Sequence, residues 1–349
     1  MACVFLFRGA LQIGRLLAIA TVAASLLVAC GGGVSDSTAT VTPVTPVPPV
    51  SGGNWPVPSY SAQSEELVAY NTFNKARVSC GFGYLQQNLN LDRAAFNHVV
   101  WQLKNNLIQH LETPGTVAYT GTGPWDRMLA AGYTQGTGAW QWNEVVAAEN
   151  SMRAGFGLTG AVLLLGAPYH LAGLMQSNRE MGISVKTGGP MGSGAGVEIA
   201  NSSPAVNMVA DMAANNTYPA QLQSSADVLT YPCAGVVGTI TALYGETPSP
   251  IPSRNLGTNP IGQPVFVQVR QGQVLTITSS YIVKTTDSSR VPLAVTLTSA
   301  NDPNSELSPS QAILIPNAPM AAQTQYTVTI QGTNNGTPFV KNFTFTTGT

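Results

Sequence analysis

The residues best suited to proton transfer or metal binding lie in one quarter of the chain, residues 91–185. This stretch contains all three histidines of the protein, and four acidic residues of its middle part accompany them. They are His98, His110, His170, Glu112, Asp126, Glu144 and Glu149. Because only 9% of the 349 residues are charged, this concentration of titratable groups predicts a functional site. The alternative is that three histidines fall together by chance.

His98 and His110 are not expected to reach one site from a shared helix. They are twelve residues apart, and a continuous helix would turn them by about 120° relative to each other. His98 falls on an apolar stripe with Val99 and Leu103, so we interpret it as a packing residue. His110 follows the end of that helix, beside Glu112, where it can reach a cleft.

Helical and alternating patterns predict a mixed α+β unit in the first two thirds of the chain. The predicted helices cover residues 64–80, 92–106, 124–132, 159–165 and 171–176, and the second of them takes Asp92 as its N-cap. Alternation predicts strands at 182–185 and 196–200, joined by a glycine-rich hairpin, while residues 205–213 are apolar and fit either element. Helices followed by strands favour an antiparallel sheet.

Beyond residue 246 the sequence becomes a series of short alternating segments separated by Asn, Gly and Pro turns. The predicted strands are residues 265–269, 274–278, 293–297, 312–315, 326–330 and 343–346. This spacing is typical of a small β-sandwich. Residues 246–349 contain no His or Cys, so we interpret them as a binding or spacing domain without chemistry.

The N-terminus predicts export. Residues 1–30 read as a signal peptide, with Arg8 and Arg15 as its only charges and an apolar run over residues 16–29 that ends before Cys30. The ending Leu27-Val28-Ala29-Cys30 resembles a bacterial lipobox, which would make Cys30 a lipidated N-terminus. An ordinary signal peptide with a chance cysteine is the alternative. Residues 31–58, rich in Pro, Gly and Thr, form a spacer.

Composition narrows the classes of partner. Hydrophobic residues make up 44% of the chain and the mean hydropathy is +0.11, which is enough for a packed core. The net charge of −1 shows no basic excess, which argues against nucleic acid as a partner. Cys80 and Cys233 fit no zinc spacing; in an oxidising compartment they would form a disulfide, and otherwise two free thiols.

Several segments, taken in order, resemble motifs of the CAP superfamily (cysteine-rich secretory proteins, antigen 5, pathogenesis-related 1) in its bacterial form. They are Ala69-Tyr-Asn71-x-x-Asn74-x-x-Arg77, Leu89-x-Leu91-Asp-Arg-Ala94-Ala-x-x-His98, Pro124-Trp-Asp126-Arg127 through Gly132-Tyr133, Asn143-Glu144, Ala167-Pro-Tyr-His170 and Met181-Gly-Ile-Ser-Val185. The resemblance covers residues 60–190 with a tail to about 235, within a domain predicted at 59–245. The closing domain resembles the Ig-like domain appended to some bacterial members.

The resemblance implies an α-β-α sandwich with a cleft lined by two His and two Glu, which holds a divalent ion in some members. His110, Glu144 and His170 match three of these positions, while residues 162–166, where the second Glu would stand, are apolar. Glu149 is the substitute that the sequence offers. Two imidazoles and a carboxylate suit Zn²⁺ or general acid–base work. The alternative for His170 is that it is a buried, hydrogen-bonded residue that neither binds a metal nor transfers a proton.

The sequence leaves three functions open. The first is an exported protein, anchored to the cell envelope at the outer membrane or released outside the cell, that binds a lipid, a glycan or another protein. The second is a metal- or carboxylate-dependent hydrolase of peptide or cell-wall material. The chain contains no G-x-S-x-G or H-E-x-x-H motif, which favours binding over catalysis. The third is a structural protein of the envelope.

Overall fold

The computed structural model describes residues 2–8, 56–134, 141–150, 154–190, 197–199, 205–215 and 220–349. The chain belongs to the α+β class, as predicted. Five helices occupy the first half of the described chain: α1 (Glu65–Ser79), α2 (Leu89–Asn105), α3 (Pro124–Ala130), α4 (Phe156–Leu165) and α5 (Pro168–Leu174). Their bounds agree with the predicted helices to within a few residues. Cys30 and residues 31–55 of the spacer lie outside the described residues.

The strands of the first unit form one sheet. They are β1 (Ala2–Arg8), β2 (Gln86–Gln87), β3 (Gln141–Glu149), β4 (Glu180–Pro190), β5 (Val197–Ile199) and β6 (Ala205–Ala214), in the spatial order β1-β3-β6-β4-β2 with β5 beside β4. The ambiguous segment 205–213 is therefore a strand. β5 pairs with β4 in parallel, so the predicted antiparallel hairpin between them was wrong.

Helices cover both faces of this sheet, and alternation along β3 decides which side chains meet them. Val146 packs with Val99 and Leu103 of α2, whereas Val145 belongs to the core cluster that contains residues of α1, α4 and α5. Glu144 shares the face of Val146, two residues away. The sheet thus lies between α2 on one side and three helices on the other.

The start of α2 lies directly over β4. A Cβ on Gly182 would come within 2.0 Å of the Asp92 backbone nitrogen, so only glycine permits this approach. The N-cap of α2 is Asn88, whose side chain accepts from the backbone N–H of Asn90 at 2.9 Å. Asp92, predicted as the cap, lies inside the helix and accepts instead from the backbone N–H of Ile183 at 2.8 Å.

The second unit consists of two sheets that share a core. One has the strand order β12-β13-β9-β7 and the other β11-β10-β14-β15-β8, and apolar residues of both form one cluster. The strands are β7 (Val228–Tyr231), β8 (Val237–Thr239), β9 (Val265–Val269), β10 (Leu275–Lys284), β11 (Arg290–Val291), β12 (Leu293–Thr298), β13 (Gln311–Pro316), β14 (Gln325–Asn334) and β15 (Thr337–Thr347). All six predicted strands are confirmed. Because β7 pairs with β9, this unit begins before the predicted boundary at residue 246.

The two units are joined by covalent, apolar and polar contacts. Cys80 and Cys233 form the predicted disulfide, which joins the end of α1 to the chain after β7. Phe82 packs against Phe266 of β9 with ring centroids 6.0 Å apart. Gln263 donates to the carbonyl of Leu165 at 3.1 Å. These contacts hold the two units together across a shared core.

No single helix among the described residues has the length and apolar character to cross a membrane. The pair α4 and α5, bent by 100°, meets those criteria together by length and composition only.

Candidate functional site

A buried group of charged side chains lies between the sheet and α2. At its centre Glu144 of β3 accepts from two partners, one on each carboxylate oxygen. His110 Nδ1 lies 2.7 Å from Oε1, and an Arg127 terminal nitrogen lies 2.6 Å from Oε2. Glu144 and Arg127 are fully buried, and His110 is 7% exposed. The two predicted site residues His110 and Glu144 are therefore brought together.

His98 joins the same group, contrary to the prediction that it and His110 serve separate places. Its Nδ1 lies 2.9 Å from a Glu112 oxygen, and its Nε2 lies 3.8 Å from Glu144 Oε1. The helical geometry argument applied only to a continuous helix, and α2 ends before His110. The packing interpretation is also correct in part, because the His98 ring stacks on Trp101 at 5.6 Å between centroids.

Two residues fold the loop after α2 back over the sheet. Glu112 accepts from the backbone N–H of Thr120 at 2.7 Å and lies 3.7 Å from Arg127 Nε. Arg127, at the last turn of α3, also donates to the carbonyl oxygen of His110 at 2.9 Å. The loop is thereby tied at both ends, and this places the His110 ring against Glu144. Asp126, the neighbour of Arg127, caps α3 through the backbone N–H of Gly123 at 2.9 Å.

Burial and the charges within this group determine the pKa values of Glu144 and His110. Burial would raise the pKa of Glu144, but Arg127 and the two histidines reverse that effect and lower the pKa below its ordinary value. For His110, burial lowers the pKa despite the attraction of Glu144. At neutral pH the pair is thus a carboxylate that orients a neutral imidazole, an arrangement suited to accepting a proton.

A second carboxyl group lies opposite Glu144. Asp211 on β6 is its cross-strand partner and is fully buried. Neither oxygen of Asp211 accepts a hydrogen bond from an N–H group among the described residues, and its side chain interacts with the carboxylate of Glu144. Burial first, and then the charge of Glu144, raises the pKa of Asp211 well above its ordinary value. Asp211 is therefore protonated when its neighbour is ionised, which avoids two adjacent buried charges.

We expect Asp211→Asn to be more stable than the wild type at neutral pH. The folded-state pKa of Asp211 is raised, so its favourable contribution is complete below the unfolded pKa and is lost as pH rises towards the folded value. Relative to the wild type, the variant should gain about 1–3 kcal/mol between about pH 4 and about pH 7. Urea unfolding across this range measures the difference.

Asp227→Asn is the matched control, because Asp227 is exposed. Its stability relative to the wild type should not vary with pH in this way. A constant difference between Asp211→Asn and the wild type over the whole range would contradict a raised pKa.

His170 lies in a different place. It belongs to α5, which packs with the core on the face of the sheet away from α2. Its Nδ1 lies 2.8 Å from Glu246, which also accepts from the backbone N–H of Tyr169 at 2.7 Å. The neighbouring Tyr169 hydroxyl bonds to Asp302. His170 is thus the buried, hydrogen-bonded histidine of the alternative interpretation, and it serves the junction between the units.

The three-ligand zinc set expected from the resemblance is not formed. His170 is separated from His110 and Glu144 by the sheet. Glu149 cannot complete the set, because it lies five residues along β3 from Glu144 and so faces the other side. Among the residues that the structure describes, no group of three or more His, Cys, Asp or Glu side chains could hold a metal ion.

Sequence reasoning missed Arg127, Asp211 and Glu246 as members of these networks, and it counted Glu112 among the titratable residues without assigning it a partner. The sequence offers one signal for such partners. Glu144 lies within a run typical of a buried strand, and a buried carboxylate needs a cation nearby. Asp211 lies in the segment whose secondary structure was ambiguous, so no partner could be assigned to it.

Comparison with family models and with curated proteins found no match for this chain. The resemblance to the CAP superfamily therefore depends on the motifs alone.

Proposed function

We propose that this is an exported, lipid-anchored protein of the CAP superfamily with an Ig-like second domain, and that it binds a ligand at the cell envelope. The observation that carries the proposal is the hydrogen bonding of the Glu144 carboxylate. Both of its oxygens are used within the protein, one by His110 and the other by Arg127. A carboxylate held in this way organises the loop that carries His110, and its two short hydrogen bonds are made within the protein.

The second unit supports binding more than catalysis. It contains no histidine or cysteine beyond residue 246, and it is fixed to the first unit by the disulfide and by Gln263. Ligands in keeping with an envelope location are a lipid, a glycan or another protein.

Hydrolysis of peptide or cell-wall material is the second candidate, and one observation favours it. His110 is the member of the buried group nearest the surface, and its ring is oriented by a carboxylate at 2.7 Å. A neutral imidazole held by a carboxylate is a recurring general base. A purely structural role in the envelope needs neither His110 nor a ligand.

Binding and hydrolysis are separated by one assay. A form without the lipid, exported with Cys30→Ser, is incubated with purified cell-wall sacculi and with phospholipid vesicles, so that an acyl chain cannot itself anchor the protein. Both sedimentation and soluble products are measured. Binding predicts co-sedimentation with one of them and no new product. Products formed by the wild type and lost in His110→Ala would establish the hydrolase instead.

Lys104→Ala is the control for His110→Ala, since Lys104 is exposed at the end of α2. It should behave as the wild type in both readouts. Absence of both sedimentation and products with these two probes would favour the structural role.

Lipidation depends on one residue. We expect labelled palmitate to be incorporated into the wild-type protein in bacterial cells and to be lost completely in Cys30→Ser, because lipobox processing requires the thiol. Cys3→Ser is the matched control, since Cys3 lies within the leader, and it should keep the label. Incorporation into Cys30→Ser would refute the anchor.

A further inference from the structure

The outer edge of β3 accepts an additional strand. In the full chain that strand is β1, paired antiparallel along its seven residues with Ala2 opposite Glu149 and Arg8 opposite Asn143. The register places Phe7 opposite Glu144, the residue that holds His110. A segment on this edge therefore pairs with the strand that carries Glu144.

The strand that occupies this edge comes from the predicted signal peptide. If export removes residues 1–29 and leaves Cys30 as the N-terminus, as the proposed function requires, the edge of β3 is left open. The sequence of β3 has no lysine or proline, the residues that commonly protect an edge strand from further pairing. Its backbone groups would then need new hydrogen-bond partners.

We propose that in the exported protein this edge binds an extended, apolar polypeptide segment of a partner as an added antiparallel strand. The inference rests on the proposed binding function and names its ligand class. The chemistry follows from β1, whose sequence is apolar except for Arg8. α5, all of whose residues are buried, packs beside the same strand, and it would give an incoming apolar segment a surface to cover.

The spacer is a poor occupant for this edge. Residues 31–58 carry prolines at positions 43, 46, 48, 49, 56 and 58. Proline has no N–H to donate to a ladder. A separate polypeptide is therefore the occupant that fits, in the manner of strand addition to an exposed sheet edge.

The test uses the processed protein purified from cells and a synthetic peptide of residues 2–8 with Cys3→Ser. Two further peptides carry N-methyl groups, one at Val4 and Leu6 and the other at Phe5 and Phe7. Alternate residues of a strand direct their N–H groups to opposite edges. One methylated peptide should bind as the parent does, and the other at least about tenfold more weakly. Fluorescence polarisation measures the affinities.

Hydrogen exchange locates the bound peptide. Added peptide should slow exchange in residues 141–149, and the full chain with its leader in place should not bind it. The proposal is overturned if the parent peptide does not bind, if both methylated peptides lose affinity equally, or if the peptide slows exchange only outside residues 141–149. It is also overturned if the purified protein retains residues 2–8, or is a dimer with β3 already protected. If vesicle or sacculus binding persists without peptide binding, only this inference fails.

Discussion

Glu144→Ala is expected to lower the free energy of unfolding by about 3–5 kcal/mol, among the largest effects of any single substitution in this protein. The change leaves the guanidinium of Arg127 buried without the carboxylate that lies 2.6 Å away. It also releases His110 from its hydrogen bond. Urea unfolding followed by circular dichroism measures the loss.

Glu144→Gln provides a second variant of nearly the same shape, which retains packing but removes the charge. It should also be strongly destabilised. The control is Asp287→Asn, which breaks a surface pair whose atoms are 3.8 Å apart and should give no measurable change. If Glu144→Gln unfolds at the wild-type urea concentration, the cluster does not stabilise the fold.

Removal of the disulfide is the other large effect. The double variant Cys80→Ser with Cys233→Ser should lose about 2–5 kcal/mol, because the cross-link restricts a long loop in the unfolded chain. The two cysteines are 153 residues apart in sequence, so the loop spans most of the first unit. Urea unfolding under oxidising conditions compares the variant with the wild type.

Reduction offers an independent control for this pair. Wild-type protein unfolded in the presence of a reductant should match the double variant, and the variant itself should not respond to reductant. A double variant as stable as the oxidised wild type would show that the disulfide does not contribute to the free energy of unfolding.

Local signals predicted the helices well. Ser64 accepts from the backbone N–H of Leu67 at 3.1 Å, and Pro124 begins α3, so these helix starts depend on neighbours within one turn. The strands of the second unit were predicted equally well, because the alternation of apolar and polar side chains is a pattern of consecutive residues.

β3 was not predicted as a strand because its pattern depends on the whole fold. Eight of its nine residues are buried, so the alternation that marks a half-exposed strand is absent. The same property made residues 205–213 ambiguous. Each of these strands is recognisable only when helices cover both faces of the sheet.

The site was predicted in part for a similar reason. His110 and Glu144 matched motif positions, and the structure brings them together. His170 matched equally well but lies across the sheet, and sequence spacing carries no information about which face a helix covers. Glu246, its partner, lies 76 residues further along the chain, a separation over which no local pattern links two residues.

The junction between the two units has an entropic consequence. Tyr169 and His170 reach Asp302 and Glu246, and the disulfide adds a covalent link, so no free linker separates the units. A ligand that touches both would meet surfaces whose relative orientation is already fixed. Its binding would not lose the entropy that ordering a hinge costs, and this raises affinity without any additional contact.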